Sequence, residues 1–298
     1  MPVATQKTLP TAQWQSLAEE HKRKAQEWTV PYRQRRASNQ LHPIHDFLFI
    51  YYRNAPSQLE KWHPAYGTVL EIGGNAEQFN SKYYSSDQTI AYLDDRKIDP
   101  ATKHRLEMAL KLSQSVQSRP PQFGCYGLHE WAMVYRGNTD GEIRHSEKLP
   151  LRLSQEATDA FIESRSICCS HYDAFRFFTP SAMPFNRIQP RKETRAANEQ
   201  SGCLHTNMDL YKLSAQCMPW IGSDLLWRSF QFAVHAREID MRASPYDCSA
   251  LGYAPIKVET AEGRTEYEHE QRNLAEQAIP IRAELVSRLT MILGQIRL

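Results

Sequence analysis

Four short segments of the chain place histidine beside a carboxylate or a cysteine, among bulky apolar residues. They are His42-Pro43-Ile44-His45-Asp46, Cys125-Tyr126-Gly127-Leu128-His129-Glu130, Cys168-Cys169-Ser170-His171-Tyr172-Asp173, and Cys203-Leu204-His205 continuing to Asp209. Imidazole and carboxylate groups bind metal ions and transfer protons, and the apolar neighbours indicate that these groups are buried. The joint pattern predicts an active site inside a packed protein.

The histidines are the first candidates for metal ligands. His42 and His45 are three residues apart and share a face if both lie at the start of a helix, with Asp46 as a supporting partner. The alternative is that one histidine caps the helix and the other packs against aromatic rings. The predicted metal-site residues are His42, His45, Asp46, His129, His171 and His205. Such ligands favour a divalent ion, which we expect to be iron, manganese or zinc.

Carboxylate and arginine side chains in and near these segments are candidates for catalytic groups. Asp209 lies four residues after His205, so a helix would place the two side by side. Arg176 lies among phenylalanines, where it either clamps an anionic substrate group or forms a structural pair with Asp173. The predicted catalytic residues are Glu130, Asp173, Asp209, Arg176 and Arg242. For Arg242 the alternative is an ion-pair network that closes a helix.

The elements that would position these residues are mainly helices. Apolar spacing and capping residues predict helices over residues 11–28, 43–53, 56–62, 100–117, 125–135, 154–164, 208–218, 223–241 and 266–298, and a strand at 68–72. Pro31 is expected to end the first helix, which leaves Arg33-Gln34-Arg35-Arg36 in a loop that is solvated or contacts phosphate. The polar residues 179–202 form a candidate lid or hinge.

These elements predict a mainly α fold, with a single large multi-helix domain and a few short strands. Residues 1–40 would form an N-terminal helix and basic linker, and residues 41–298 a helical catalytic domain with its active site inside the helical core.

Composition restricts the partners and the compartment. The formal net charge is only +2, so the whole chain does not attract nucleic acid strongly. The sequence contains no run of about 18 apolar residues and no apolar secretory leader, so we expect no membrane partner. Six cysteines without a repeated framework favour a reducing compartment, which predicts a cytoplasmic protein. The oligomeric state stays open.

Four runs of the sequence carry a resemblance to a known family. They are His42-Pro43-x-x-Asp46-Phe47-Leu48-Phe49, residues 128–136 (LHEWAMVYR), residues 171–178 (HYDAFRFF) and residues 240–247 (DMRASPYD). Over residues 40–285 the chain is similar to a bacterial family whose members are often called 3-methyladenine DNA glycosylases. The resemblance implies a base-excision role with DNA as partner. It assigns no catalytic residue, because the Gly-rich hairpin and the zinc-ligand spacings of known glycosylase types are missing from this sequence.

Three functions therefore stand as expectations. The first is a metal-dependent enzyme, of hydrolase or oxygenase type, that acts on a small polar or anionic substrate. The second is a glycosylase that flips an alkylated purine into an aromatic pocket. The third is a non-enzymatic binding protein in which the histidine and carboxylate clusters are structural hydrogen-bond networks.

Overall fold

The computed structural model of this protein describes residues 7–74, 79–137 and 149–296. It is 58% helical, with a small four-stranded sheet, and this confirms the predicted mainly α fold. The helices are α1 Thr11–Ala37, α2 Phe47–Tyr51, α3 Pro56–Glu60, α4 Pro100–Gln117, α5 Leu128–Ala132, α6 Gln155–Glu163, α7 Tyr172–Phe175, α8 Arg195–Asn198, α9 Leu204–Gln216, α10 Ser223–Ala243 and α11 Ala261–Gln295. The strands are β1 Lys7–Leu9, β2 Thr68–Glu71, β3 Tyr84–Ser86 and β4 Ile90–Leu93. Short 3-10 turns cover Asp95–Lys97, Met183–Phe185, Lys192–Thr194 and Ser249–Leu251.

The chain divides into two compact units, and neither unit is continuous in sequence. The first unit comprises Met1–Ser113, Tyr211–Gln231 and Ile281–Leu298. The second comprises Gln114–Leu210 and Phe232–Pro280. The predicted boundary after residue 40 falls inside the first unit.

The sheet lies in the first unit and has the strand order β1-β2-β4-β3. Strand β1 runs parallel to β2, and β4 pairs antiparallel with both β2 and β3. The strand expected at 68–72 is confirmed as β2. The other three strands are only three or four residues long, too short for an alternating pattern to reveal them.

Helix α1 continues through Pro31, where the sequence predicted its end. Proline removes one helical hydrogen bond, but the turns around it are held by side chains that pack and pair. Tyr32 is buried, Arg33 forms an ion pair with Glu60 at 2.7 Å, and Arg35 binds both carboxylate oxygens of Asp46. The basic cluster is therefore the last turn of a helix, and the loop prediction for it was wrong.

Helix α2 begins at Phe47, four residues later than the predicted start at Pro43. Residues 43–46 form turns instead, because side chains accept hydrogen bonds from the backbone N–H groups of this segment. The His42 Nδ1 atom accepts from the backbone N–H groups of Ile44 and His45, and Asp46 accepts from the backbone of His42. This is the capping role that stood as the alternative for one of the two histidines.

In the second unit, residues 179–202 are more structured than a polar loop. The segment contains two 3-10 turns and helix α8, and Asn186 and Glu199 are buried within it. The Asn186 side chain accepts from the backbone N–H of Cys169 and donates to its carbonyl, which ties the segment to the packed interior. A lid or hinge role for these residues stays a prediction.

Candidate metal centre

Two groups of buried ligand-type side chains lie in the second unit, within the residues that the structure describes. The first cluster consists of His129, Glu130, His205 and Asp240, and the second cluster of His171, Glu199 and Asp209. In each cluster one ligand atom per residue lies within 4.8 Å of all the others. Every one of these side chains is buried.

Helix α5 positions the first two members of the first cluster. Tyr126 and Gly127 adopt positive φ angles of 47° and 69°, so a continuous helix from Cys125, as the sequence predicted, cannot form. The short helix that starts after them carries His129 and Glu130 into the interior. The indole N–H of Trp131 donates to the Ala243 carbonyl at 2.9 Å, which fixes α5 against the end of α10.

Asp240 joins the members of the first cluster to one another. Its Oδ1 atom lies 3.1 Å from His129 Nε2, and its Oδ2 atom accepts a hydrogen bond from Arg237 Nη1 at 2.5 Å. The same guanidinium nitrogen donates to Glu130 Oε1 at 2.8 Å. Both carboxylates therefore share one buried arginine, which fixes their orientation.

Electrostatics give the two histidines of this cluster opposite protonation states. Burial disfavours the charged form of His129, but the Asp240 carboxylate outweighs burial and raises the pKa of His129 to about 10. Burial and the neighbouring His129 charge lower the pKa of His205 to about 3. Burial also acts on Asp240, but the charges around it hold the pKa of its carboxyl far below the usual range. At neutral pH, His205 is therefore the neutral imidazole of the cluster.

His205 is the member whose surroundings fit an ion best. Its side chain is 10% exposed, and neither ring nitrogen has a hydrogen-bond partner in the described part of the chain; Nε2 lies 3.8 Å from Asp240 Oδ2. Two donors that bind one ion at about 2.1 Å are separated by about 3.0 to 4.2 Å, depending on the angle between them. The separations of His129 Nε2 from Asp240 Oδ1, 3.1 Å, and of His205 Nε2 from Asp240 Oδ2, 3.8 Å, lie in that range, although they run to the two different oxygens of the carboxylate. The donor set of the first cluster thus fits a divalent ion.

A second buried polar atom in the same surroundings lacks a protein partner. The Tyr267 side chain is fully buried and its hydroxyl makes no hydrogen bond to any described residue. Burial, the Cys125 thiol and the Asp240 carboxylate raise its pKa well above the ordinary value, so the phenol stays protonated. Its ring packs over Gly127, where a Cβ atom would lie 3.4 Å from the phenol carbon. A protonated hydroxyl that the protein does not satisfy is a donor for a bound group.

The second cluster does not fit an ion as well. His171 caps helix α7, and its Nδ1 atom accepts a hydrogen bond from the Ala174 backbone at 3.3 Å. The ring proton therefore sits on Nε2, which faces Asp209 at 3.3 Å and Glu199 at 3.9 Å. Arg195 pairs with both carboxylates, at 2.6 and 2.8 Å. An ion on Nε2 would require the cap to break, so this cluster fits a network of ion pairs better than an ion site.

The two clusters are neighbours, because His205 contacts both. Its ring centre lies 4.3 Å from that of His129 and 5.6 Å from that of His171. On helix α9, Asp209 follows His205 by one turn, as predicted. Its carboxylate nevertheless belongs to the second cluster, where it contacts His171, so the structure does not group it with His205 as the spacing suggested.

Three predicted ligands lie elsewhere, in the first unit. His42 and His45 stack on each other with ring centres 4.4 Å apart, and Trp28 packs against His45. Asp46 is fully buried and paired with Arg35. None of the three belongs to a metal-capable group among the described residues.

Three predicted catalytic residues also lie outside both clusters. Asp173 and Arg176 form the structural pair that stood as the alternative, at 3.1 Å, with Arg176 stacked on Phe177. Arg242 donates to the Ala254 carbonyl and pairs with Glu266. Glu130 and Asp209, by contrast, are members of the clusters.

Asp240 and Glu199 are members that the sequence did not single out as site residues. Asp240 lies three residues after Arg237 on a helix whose neighbouring positions are buried and apolar, and this charged pair inside an apolar pattern was the available signal. Glu199 carries no comparable signal, because it follows a polar, Arg-rich stretch.

Comparison of the chain with protein-family models, with curated proteins and with solved structures gives no match. Within the described ranges, no helix combines the length and the apolar character that crossing a membrane requires.

Proposed function

We propose that this protein is a metal-dependent enzyme whose ion is held by the first cluster. The ligands would be His129, Glu130, His205 and Asp240, and binding of the ion would displace the proton that His129 carries beside Asp240 at neutral pH. Nitrogen and carboxylate ligands together favour iron, manganese or zinc.

The observation that carries the proposal is the state of His205. A neutral, buried imidazole without a hydrogen bond loses favourable interactions that a metal ion would restore. The buried carboxylates of Glu130 and Asp240 each have an oxygen within 4.8 Å of a His205 ring nitrogen. Burying a carboxylate costs free energy, and buried charged groups are common at functional sites.

The side chains around the ion would have distinct roles. Arg237 bonds one oxygen of Glu130 and one of Asp240 and would keep both carboxylates oriented. Cys125 Sγ lies 4.0 Å from His129 Nδ1 and would hold the orientation of that ring. The Tyr267 hydroxyl would donate to a substrate oxygen. A bound divalent ion would supply Lewis acidity and a lowered pKa for a bound water.

We propose a small polar or anionic substrate, and a reaction of hydrolase or oxygenase type. The first cluster is built from buried side chains of helices α5, α9 and α10, and such a buried centre suits a small molecule better than a polymer.

The test is the ion dependence of stability and turnover. The protein is treated with a chelator, and its thermal unfolding is followed as iron(II), manganese(II) or zinc(II) is added. An ion at about 100 times its dissociation constant should stabilise the fold by about 2.7 kcal/mol. One of these ions should raise Tm and restore hydrolysis of nitrophenyl ester or phosphate substrates, or oxygen consumption.

Two histidine variants make this test specific. His205→Ala should abolish the ion response, whereas His235→Ala, an exposed histidine on α10, should retain it. An unchanged response in His205→Ala would refute the proposed ligand set. No response in the wild type would favour a purely structural ion-pair network.

The glycosylase role implied by the family resemblance remains a second prediction. Its direct test is release of free base from alkylated DNA by the chelator-treated protein, since that chemistry needs no ion in the first cluster.

A further inference from the structure

A cleft of about 260 Å³ lies in the first unit, between α1 and the segment that follows α3. It shares no residue with either cluster of the candidate metal centre. Four aromatic side chains line it together with charged and polar ones: Trp14, Trp62, Phe79 and Tyr84. A ligand site commonly has this composition.

The aromatic wall offers flat surfaces. The rings of Trp14 and Trp62 are nearly parallel, with an interplanar angle of 14° and ring centres 6.4 Å apart. Phe79 meets Trp14 edge-on at 5.6 Å. Trp14 is fixed because its indole N–H donates to the Glu71 carbonyl at 2.8 Å, while Trp62 is only half-buried.

His63 supplies a built polar group in this wall. This residue is only 7% exposed, and its Nδ1 atom lies 2.8 Å from the Tyr84 hydroxyl. That hydroxyl is buried and has no other partner among the described residues, so Nδ1 is the acceptor that its proton needs; with the hydroxyl as donor, the imidazole proton lies on Nε2. Nε2 has no partner within the described ranges, so the cleft presents one fixed, unsatisfied N–H donor.

Further donors surround the cleft. Lys22, Lys61 and the Asn80 side chain line it, and the Asn80 oxygen accepts from the Lys82 backbone, which leaves the amide NH₂ to donate. Of the two carboxylates at the cleft, Glu60 is already bound by Thr29 and Arg33. Glu19 is exposed, as are both lysines, and is the one remaining carboxylate beside them. The polar groups that remain for a ligand are therefore mainly donors.

We propose that this cleft binds a planar heteroaromatic ring whose nitrogen or carbonyl acceptors face His63 and the two lysines. The ring would stack on Trp62 and Phe79 and accept a hydrogen bond from His63 Nε2. A cavity of about 150 Å³ already holds benzene, so this volume accommodates a fused two-ring system.

The probes are adenine and indole, which share a fused ring size but differ in acceptors. Ligand-observed saturation-transfer NMR on the full chain measures their binding. Adenine should bind in the micromolar to millimolar range, and indole at least about fivefold more weakly, since it offers no ring acceptor to His63.

Three variants locate the site. Trp62→Ala should weaken adenine binding by about tenfold, because it removes a stacking face. His63→Phe keeps a ring but removes the donor and should reduce the preference for adenine over indole. Trp28→Ala is the control, because Trp28 lies on the same helix as Trp14 but does not line the cleft, and binding should change less than twofold.

Several results would overturn the proposal. Adenine that does not bind at millimolar concentration, indole that binds as tightly as adenine, or Trp62→Ala that binds like the wild type would each do so. Trp62 is half-buried, so its variant should fold, and circular dichroism checks this. Because the readout is binding by metal-free protein, failure here does not bear on the metal centre.

Discussion

At the scale of single residues, Asp240 contributes most to the first cluster. It is fully buried, and its two oxygens contact His129 and Arg237. Without the Asp240 carboxylate, the buried Arg237 guanidinium would keep only Glu130 as an anionic partner. The buried His129 imidazolium would lose its carboxylate partner. Such unpaired buried charge is more costly than the intact pair is stabilising.

Asp240→Ala should therefore lower the free energy of unfolding by about 3 to 5 kcal/mol in the presence of a chelator. The matched control is Asp224→Ala on the same helix, whose side chain is 59% exposed and paired with Arg288. That variant should lose no more than about 1 kcal/mol. Urea unfolding measures both. Equal losses in the two variants would mean that the first cluster does not contribute as described.

His63 should make stability depend on pH. Burial lowers its pKa to about 3 from 6.5, so between these values the unfolded chain binds a proton that the folded chain does not. Stability therefore falls as pH falls from about 6.5 towards 3, by up to about 1.4 kcal/mol per pH unit from this group. Urea unfolding at about pH 7 and pH 5 should show a smaller loss for His63→Gln than for the wild type. If His63→Gln lost as much stability between pH 7 and pH 5 as the wild type, the pH dependence would come from other titratable groups.

At the scale of secondary structure, close backbone contacts restrict which residues a helix position can hold, and the sequence pattern does not reveal these restrictions. Gly263 lies in the first turn of α11, where a Cβ atom would come within 1.9 Å of the Lys257 carbonyl oxygen. Gly294, in the last turn of the same helix, has open space around it.

These two glycines predict opposite effects of the same substitution. Gly263→Ala should destabilise the protein by about 1 to 3 kcal/mol, because backbone atoms must move. Gly294→Ala should be neutral or stabilise it by up to about 1 kcal/mol, through the better helix propensity of alanine. Thermal unfolding measures both changes. A tolerated Gly263→Ala would contradict the close packing of this turn.

The sequence predicted elements well where local signals decide them. Helix α4 has the predicted bounds, and the Ser154 side chain caps α6 as expected. Prediction failed where contacts between distant residues or unusual backbone angles determine the structure. Ion pairs such as Arg33–Glu60 stabilise α1 beyond Pro31. Positive φ angles just before Leu128 prevent α5 from beginning earlier. The sequence indicated His129, Glu130, His205 and Asp209 through their types and spacing. It could not indicate which histidines meet, because local pattern carries no information on packing between distant segments.

At the scale of the whole molecule, both compact units are assembled from distant stretches of chain. The predicted histidine segments therefore separate: the segment at 42–46 lies in the first unit and the other three in the second. The net charge of +2 gives no general attraction for a polyanion. The low net charge therefore agrees with the proposed small substrate better than with a polyanionic partner.

Metal analysis of the purified, tag-free protein by ICP-MS tests the central claim most directly, with His205→Ala and His171→Ala measured beside the wild type. We expect close to one iron, manganese or zinc per chain in the wild type, and loss of this ion in His205→Ala. His171→Ala should retain it, because its Nδ1 caps α7 and its Nε2 serves the ion-pair network. Folded wild-type protein that takes up none of these ions even when they are supplied, or His205→Ala with full metal content, would contradict the account.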